Sequence, residues 1–585
     1  MIQNERSKRN VMKKNMLLLI TVLILSLLFA VYAAQTDKVQ ASLPENTTPN
    51  DVAPGQPGEK QEDLLAEREE LEKQRKEQLG EFYLPLPPLG QERTINTVKA
   101  KALYLTGHVA GFSFDEDNVN YYAEYISSIS GQSQGPADTS RIAKINKLEK
   151  ALAICNSTEI NALVIDIKND NGLVVWNSDI EIVNQIKSNW NTPFKNYEKL
   201  MDYLKEKGIY CIARIVAFKD PYFAAQKSDH AIQLKTGGAY KDRSGVVWVN
   251  PFDEYVWKYL IAISREAALR GFDEVQFDYV RFPDSAKYYN PITEFPGRDN
   301  RDKDEGIEDF LKYARKELEP YQVHVSADVF GIITRSWDDK PEDIGQTWRK
   351  IANHVDYICP MIYPSHYSAG LYGYQVPDQQ PYRVSMLSLI EALERNAAQK
   401  EPGIIRAWYQ GFTAPWIKGH INYDAKAISD QIVAGMELGV DEYIIWNASN
   451  NYDPRIFFYH DRINKNIRKS GEDLLLRSPE ATIKKYLDAE KNRRNNVLYL
   501  LTPIAERQDD YDEFVVEMEK RQLVLKNYRV LGVEDNGDGT YTATVKGDYH
   551  SGLGTAALEE AKYKIILEKD VYKVIKPEIV WEAAQ

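Results

Sequence analysis

Eight short runs rich in β-branched and aromatic residues, separated by stretches of helical apolar spacing, constrain this chain more than any other feature. The runs occupy 102–106, 162–167, 210–216, 274–278, 324–328, 356–362, 404–408 and 443–446. Segments 197–206, 256–269, 307–318 and 425–438 place apolar residues three and four apart, as in helices that cover a sheet. Strands alternating with helices predict parallel βαβ units, and eight such units favour closure into a (β/α)8 TIM barrel over an open sheet. Asn250-Pro251 ahead of Asp253 and Glu254 supplies an N-cap, a first-turn proline and acids for one helix.

The flanks differ in character. Arg6, Lys8, Arg9, Lys13 and Lys14 precede an uncharged apolar run over 16–34, the pattern of an export signal. That run is long enough to stay in a bilayer as an anchor with its basic end inside, while the small residues closing Val31-Tyr-Ala33 and Val39-Gln-Ala41 offer cleavage sites. Both outcomes predict an extracytoplasmic body, membrane-anchored or secreted. Residues 1–41 are therefore read as signal peptide or anchor and 42–97 as a linker with a charged helix over 62–78. The barrel is expected over 98–464, and a smaller α+β module over 465–585. In that module the run Asp535-Asn-Gly-Asp-Gly539 lacks calcium-loop spacing and reads as a hairpin turn.

A formal net charge of -13 disfavours nucleic acid as a partner, since phosphate tracking needs clustered Lys and Arg. Cys155, Cys211 and Cys359 form neither a disulfide framework nor a metal spacing and read as free thiols. No second His or Cys lies at ligand spacing from His366, so neither a metal nor another cofactor is expected.

In a barrel of this kind the reacting groups lie at the C-terminal ends of the strands. The fourth run, Phe272-Asp-Glu-Val-Gln-Phe-Asp278, ends in a carboxylate with Arg281 three residues on, and the fifth ends in Asp328. Adjacent strands lie about 4.8 Å apart, which would bring two such carboxyls near the ~5 to 5.5 Å separation of a retaining glycosidase. On this reading Asp278 attacks the anomeric carbon or stabilises its charge, and Asp328, or failing it Asp166, protonates the leaving oxygen. Arg214 and Arg281 would keep a carboxylate ionised, and Lys168 would hold an acid or a substrate carboxylate. Tyr363, Trp408 and Trp446 offer ring faces to sugars, and His366, Gln410 and Asn447 offer hydrogen bonds. The bland alternatives are a structural Asp278–Arg281 ion pair at the mouth and core roles for the tryptophans.

Seven stretches carry a family resemblance. They are Ala102-Leu-Tyr-Leu-Thr-Gly107, Ala162-Leu-Val-Ile-Asp166-Ile-Lys168, Ala213-Arg-Ile-Val-Ala-Phe-Lys-Asp-Pro221, Gln276-Phe-Asp-Tyr-Val-Arg-Phe-Pro283, Ser326-Ala-Asp-Val-Phe-Gly331, Pro360-Met-Ile-Tyr-Pro-Ser-His366 and Ile445-Trp-Asn-Ala-Ser-Asn450. Together they make the chain resemble a family of extracytoplasmic bacterial glycoside hydrolases. The resemblance implies a glycosidase-like TIM barrel distantly similar to the α-amylase group, in which a strand-four aspartate is the nucleophile. Asp278 matches that position, whereas Asp328 stands where that group usually has a glutamate. The C-terminal element order is similar to cystatin-like or nuclear-transport-factor-like cone folds. Three functions remain open at this point: hydrolysis of an extracellular or cell-wall polysaccharide, silent glycan binding within an envelope scaffold, and metal-assisted deacetylation, which the missing His pair disfavours.

Overall fold

The computed structural model describes residues 57–577, apart from 89–96, 133–138, 336–339, 398, 400, 464–477, 494, 508–510, 521–523, 552–553 and 569–570. The export-signal run and most of the expected tether lie outside the described residues. Among those described, no helix is long and apolar enough to cross a membrane.

Eight parallel strands close on themselves: β1 (Lys101–Leu105), β2 (Ala162–Lys168), β3 (Tyr210–Val216), β4 (Glu274–Asp278), β5 (His324–Phe330), β6 (Tyr357–Ile362), β7 (Ala407–Gln410) and β8 (Tyr443–Trp446). Closure is made by β7 on β6 and β8, and by β8 on β1. A two-residue piece, Ile404–Ile405, leads into β7 and also pairs with β6. All eight expected strands are present, and the (β/α)8 barrel is the architecture of the main domain.

The period-two alternation of strands explains why the runs read as almost wholly apolar. One set of side chains, including Leu103, Ile165, Ala213, Phe277 and Ala327, packs against the surrounding helices. The alternate set, including Tyr104, Val164, Ile212, Cys359 and Trp408, fills the barrel. Both faces are buried, so each strand needs apolar residues throughout.

The longer helices are α1 (Pro57–Leu79), α2 (Glu116–Ile129), α3 (Lys147–Ser157), α4 (Tyr197–Glu206), α5 (Glu254–Leu269), α6 (Lys303–Leu318), α7 (Pro381–Ala397) and α8 (Ala425–Glu437). The cap of α5 differs from the expectation. Asp253 is the N-cap, accepting from the Tyr255 amide at 2.8 Å. Asn250 instead closes its own turn on the Phe252 amide and donates to the Pro296 carbonyl.

Packing against the barrel begins ahead of residue 98. Leu79, Phe82, Leu84 and Leu86 are buried in the same core as the strands and helices. Glu72 accepts from Tyr83 Oη and the Leu86 amide, Arg75 donates to Tyr321 Oη at 3.2 Å, and Tyr255 Oη donates to Glu81 at 2.6 Å. These bonds hold 72–86 as a strap on the outer ring.

The N-terminal layer of the barrel interior is an ion cluster. Arg406 donates to both oxygens of Glu274 at 2.8 Å and to Glu442 at 2.9 Å, with Tyr210 and Ser326 also donating to Glu274. A buried charge survives only when paired and hydrogen-bonded, and this layer meets both conditions.

The C-terminal module is a four-stranded antiparallel sheet of β9 (Val524–Asp535), β10 (Tyr541–Ser551), β11 (Gly554–Glu568) and β12 (Val571–Ile575). Helices α9 (Pro479–Lys491), α10 (Asn495–Leu501) and α11 (Tyr511–Lys520) share its core. The run at 535–539 forms the β9–β10 hairpin, with Gly537 and Gly539 both at positive φ. The end of β11 pairs antiparallel with β12.

Candidate functional site

Strand register gathers the charged residues at the C-terminal mouth. Asp166 on β2 lies directly beside Arg214 on β3, and Val216 on β3 beside Asp278 on β4. On β4 and β5 the last paired residues are Phe277 and Ala327, so one further step sets Asp278 beside Asp328. Inward-pointing positions on neighbouring strands therefore deliver three aspartates and an arginine to one level.

Arg214 links them. Its Nη1 donates to Asp166 Oδ1 at 2.6 Å, its Nε to Asp278 Oδ2 at 3.0 Å, and its Nη2 also to Asp278 Oδ2. Asp170, on the loop after β2, lies 3.5 Å from Nη2 and is half exposed. Tyr104 Oη donates to Asp166 Oδ2 at 2.5 Å. Burial raises the Asp166 carboxyl above its ordinary pKa, outweighing the opposing effects of Arg214 and Tyr104.

Asp278 is also held from its own backbone. The Tyr279 amide donates to Asp278 Oδ1 at 2.6 Å, and Tyr279 has φ of 50°, a left-handed conformation that a bulky side chain rarely adopts. The turn carries Arg281 away from Asp278. Arg281 donates instead to the Phe282 carbonyl and to Asp284, and its guanidinium lies 4.4 Å from the Phe330 ring centre. The anticipated Asp278–Arg281 pair is thus replaced by Asp278–Arg214.

Asp328 is almost wholly buried. Its Oδ1 accepts from the Trp408 indole at 2.6 Å, while Oδ2 is enclosed with no hydrogen-bond partner. Burial pushes this carboxyl well above the usual carboxylate range, and the negative charge of Asp278 adds to the effect against Arg214 and the indole. A buried carboxyl with a raised pKa beside a second one bonded to an arginine is an arrangement that acid chemistry at a sugar can use.

A cavity of about 460 Å³ opens at this end, with Asp278, Arg214, Asp170, Tyr104 and Arg281 in its wall. Its apolar lining includes Tyr363, Trp408, Trp446, Phe330 and Tyr279, and His366 lines it as well. Aromatic walls with a few convergent polar groups suit a sugar, which presents apolar ring faces and polar edges.

Several expected residues are placed elsewhere. Lys168 is fully buried, paired with Asp220 at 2.9 Å and donating to the Val216 carbonyl at 2.6 Å. Gln410 is also fully buried, its side chain bonded to the Ser365 amide, Asp378 and the Phe412 carbonyl. Both hold the frame, because their polar atoms are engaged within the protein. Asn447 lines a second cavity of about 430 Å³ and donates to the Gly411 and Asn451 carbonyls. Asp166 and Asp328 stand behind the cavity wall. Asp170, Tyr104 and Tyr279 line the cavity without having been singled out from the sequence as site residues. The signal for Asp170 was its place in a loop directly after a strand. Among the described residues no group of three or more His, Cys, Asp or Glu is arranged to hold a metal ion.

Among solved structures, the chain is similar to a hypothetical protein from Ruminiclostridium thermocellum, with 32% identity over 39% of this chain and 97% of that one and a TM-score of 0.30. It is also similar to the PgaB (BpsB) glycoside hydrolase domain from Bordetella bronchiseptica, with 14% identity, 64% and 98% coverage and a TM-score of 0.37. The spore cortex-lytic enzyme SleL of Bacillus megaterium is a third, at 13% identity, 72% and 87% coverage and a TM-score of 0.34. No curated protein matches the chain. A family model matches residues 138–452, more than half of the chain and seven of the eight barrel strands, and the chain belongs to that family, described as "Putative glycosyl hydrolase domain".

Proposed function

We propose that this protein is a glycoside hydrolase that cleaves an extracellular or cell-wall polysaccharide through paired carboxylates, with retention at the anomeric carbon. The observation that carries this reading is the pairing of two different carboxyl environments on adjacent strands. Asp278 lies in the cavity wall against Arg214, and Asp328 lies beside it with a raised pKa and an unpartnered oxygen.

In the first step an oxygen of Asp278 bonds to the anomeric carbon as the glycosidic C–O bond breaks, and the departing oxygen takes the proton of Asp328. The enclosed Oδ2 of Asp328 has no hydrogen-bond partner inside the protein, and it can meet a substrate oxygen only when the cavity wall in front of it gives way. Water then attacks the glycosyl ester, Asp328 accepts its proton, and Asp278 leaves as the carboxylate. Arg214 positions Asp278, Asp166 holds Arg214, and Tyr104 in turn holds Asp166. The strand-four nucleophile is the role implied by the resemblance to the α-amylase group. The export-signal reading puts the substrate outside the cytoplasm, and the C-terminal module, read as cone-like, would serve attachment or binding.

A variant of this reading makes Asp170 the acid, because it faces the cavity whereas Asp328 lies behind Trp408. A catalytically silent glycan-binding scaffold is the competing function. The test is release of reducing ends from a panel of purified sacculi and neutral and N-acetylated polysaccharides by the full chain. Wild-type turnover that Asp278→Asn abolishes supports hydrolysis, and proton NMR of the first-formed anomer reports retention. Binding by both proteins with turnover by neither would establish the scaffold instead.

A further inference from the structure

A row of aromatic rings leaves the cavity and ends at an exposed tryptophan. Trp446 in the cavity wall stacks on Tyr363 at 5.9 Å between ring centres and meets Phe412 edge-on at 5.0 Å. Phe412 then lies nearly parallel to Trp416, with ring centres 6.1 Å apart and planes 17° apart. Trp416 is 66% exposed, an unusual state for the largest apolar side chain.

The loop that carries Trp416 is braced from outside itself. Asp378, almost fully buried, accepts from Gln410 and from the Ile421 amide, and Gln379 donates to the Gly419 carbonyl at 2.6 Å. Within the loop, the Ile417 amide bonds the Ala414 carbonyl and the Tyr423 amide bonds Thr413. At its root Gly411 approaches β8 so closely that a Cβ would fall 2.8 Å from the Trp446 carbonyl. The loop thus presents Trp416 to solvent in a fixed place, which removes most of the ordering cost of using it as a platform.

We infer that Phe412 and Trp416 form an outer sugar platform continuous with the cavity, and that the substrate is a glycan chain long enough to span both. The chain would be gripped internally and cut away from its ends. Continuity of the ring contacts with the cavity wall points to a saccharide running outward as the occupant. This inference rests on the glycosidase reading and names the form of its substrate.

The test uses the full chain and a panel of disaccharides and hexasaccharides of cellulose, chitin and peptidoglycan-glycan type, with affinity measured by calorimetry. A hexasaccharide should bind more tightly than its disaccharide. Trp416→Ala should weaken the hexasaccharide about tenfold, the factor that ~1.4 kcal/mol corresponds to, and leave the disaccharide unchanged. Trp416→Phe should restore most of the loss, and because the side chain is exposed neither variant should alter the melting temperature. Equal weakening of both lengths, no weakening of either, or no gain from chain length across the panel would overturn the platform. Asp278→Asn separates the two readings, since it should lose turnover while keeping the chain-length dependence of binding. Turnover absent in the wild type with that dependence intact would remove the glycosidase reading and leave the platform standing.

Discussion

Replacing Asp328 by Asn should lower activity and raise stability at once. The two side chains have the same shape, and an asparagine oxygen can still accept from the Trp408 indole that now bonds Oδ1 at 2.6 Å. What disappears is the ionisable proton. Asp328 has a raised pKa in the fold, so the folded chain keeps a proton that the unfolded chain releases near pH ~3.9. Between those two values the folded state binds more protons, and stability must fall as pH rises. At neutral pH the wild type bears this cost, about 1.4 kcal/mol for each pH unit above the unfolded value over which the fold still holds the proton, and Asp328→Asn does not. Catalysis moves the other way, since loss of a positioned general acid costs about 10²–10⁴ in kcat. Denaturant unfolding of both proteins at about pH 4 and about pH 8 should show the asparagine form gaining relative to wild type as pH rises. Substrates with an acidic leaving group should recover much of the lost rate. An asparagine variant less stable than wild type at neutral pH, or with the same pH slope, would refute the buried-acid argument.

Two further outcomes follow from groups buried elsewhere in the barrel. Arg406→Met strands Glu274 and Glu442 in the interior and should cost about 3–5 kcal/mol in urea unfolding, whereas a loss below ~1 kcal/mol would show the ion cluster to be dispensable. Gly172 has φ of 84°, and a Cβ there would stand 1.9 Å from Asp220 Oδ1, so Gly172→Ala should displace the Lys168–Asp220 pair. A drop in melting temperature is expected with it, and an unchanged value would refute the clash.

The strands were readable because a barrel buries both faces of each one, which makes the apolar runs long and leaves a polar residue at a strand end conspicuous. Asp278 and Asp328 stood out for that reason. Their partners did not, because pairing depends on register between strands. Arg281 is three residues from Asp278 in sequence, yet the left-handed turn at Tyr279 sends it elsewhere, and Arg214 arrives from the neighbouring strand. Gln410 closes β7 in a position that reads as cavity-facing, but Asp378, from a loop more than thirty residues away, draws it inward. Phe412 and Trp416 lie beyond the strand end in a stretch without periodicity, and only the folded loop shows that their rings join Trp446.

The strap over 72–86 decides where the barrel can be cut. A chain trimmed to begin at β1 would lose four leucine and phenylalanine anchors and bare an oily seam along the outer ring. Such a fragment would be prone to self-association even with every strand and every mouth residue intact. Recombinant work on the isolated barrel is better served by a start ahead of Glu72.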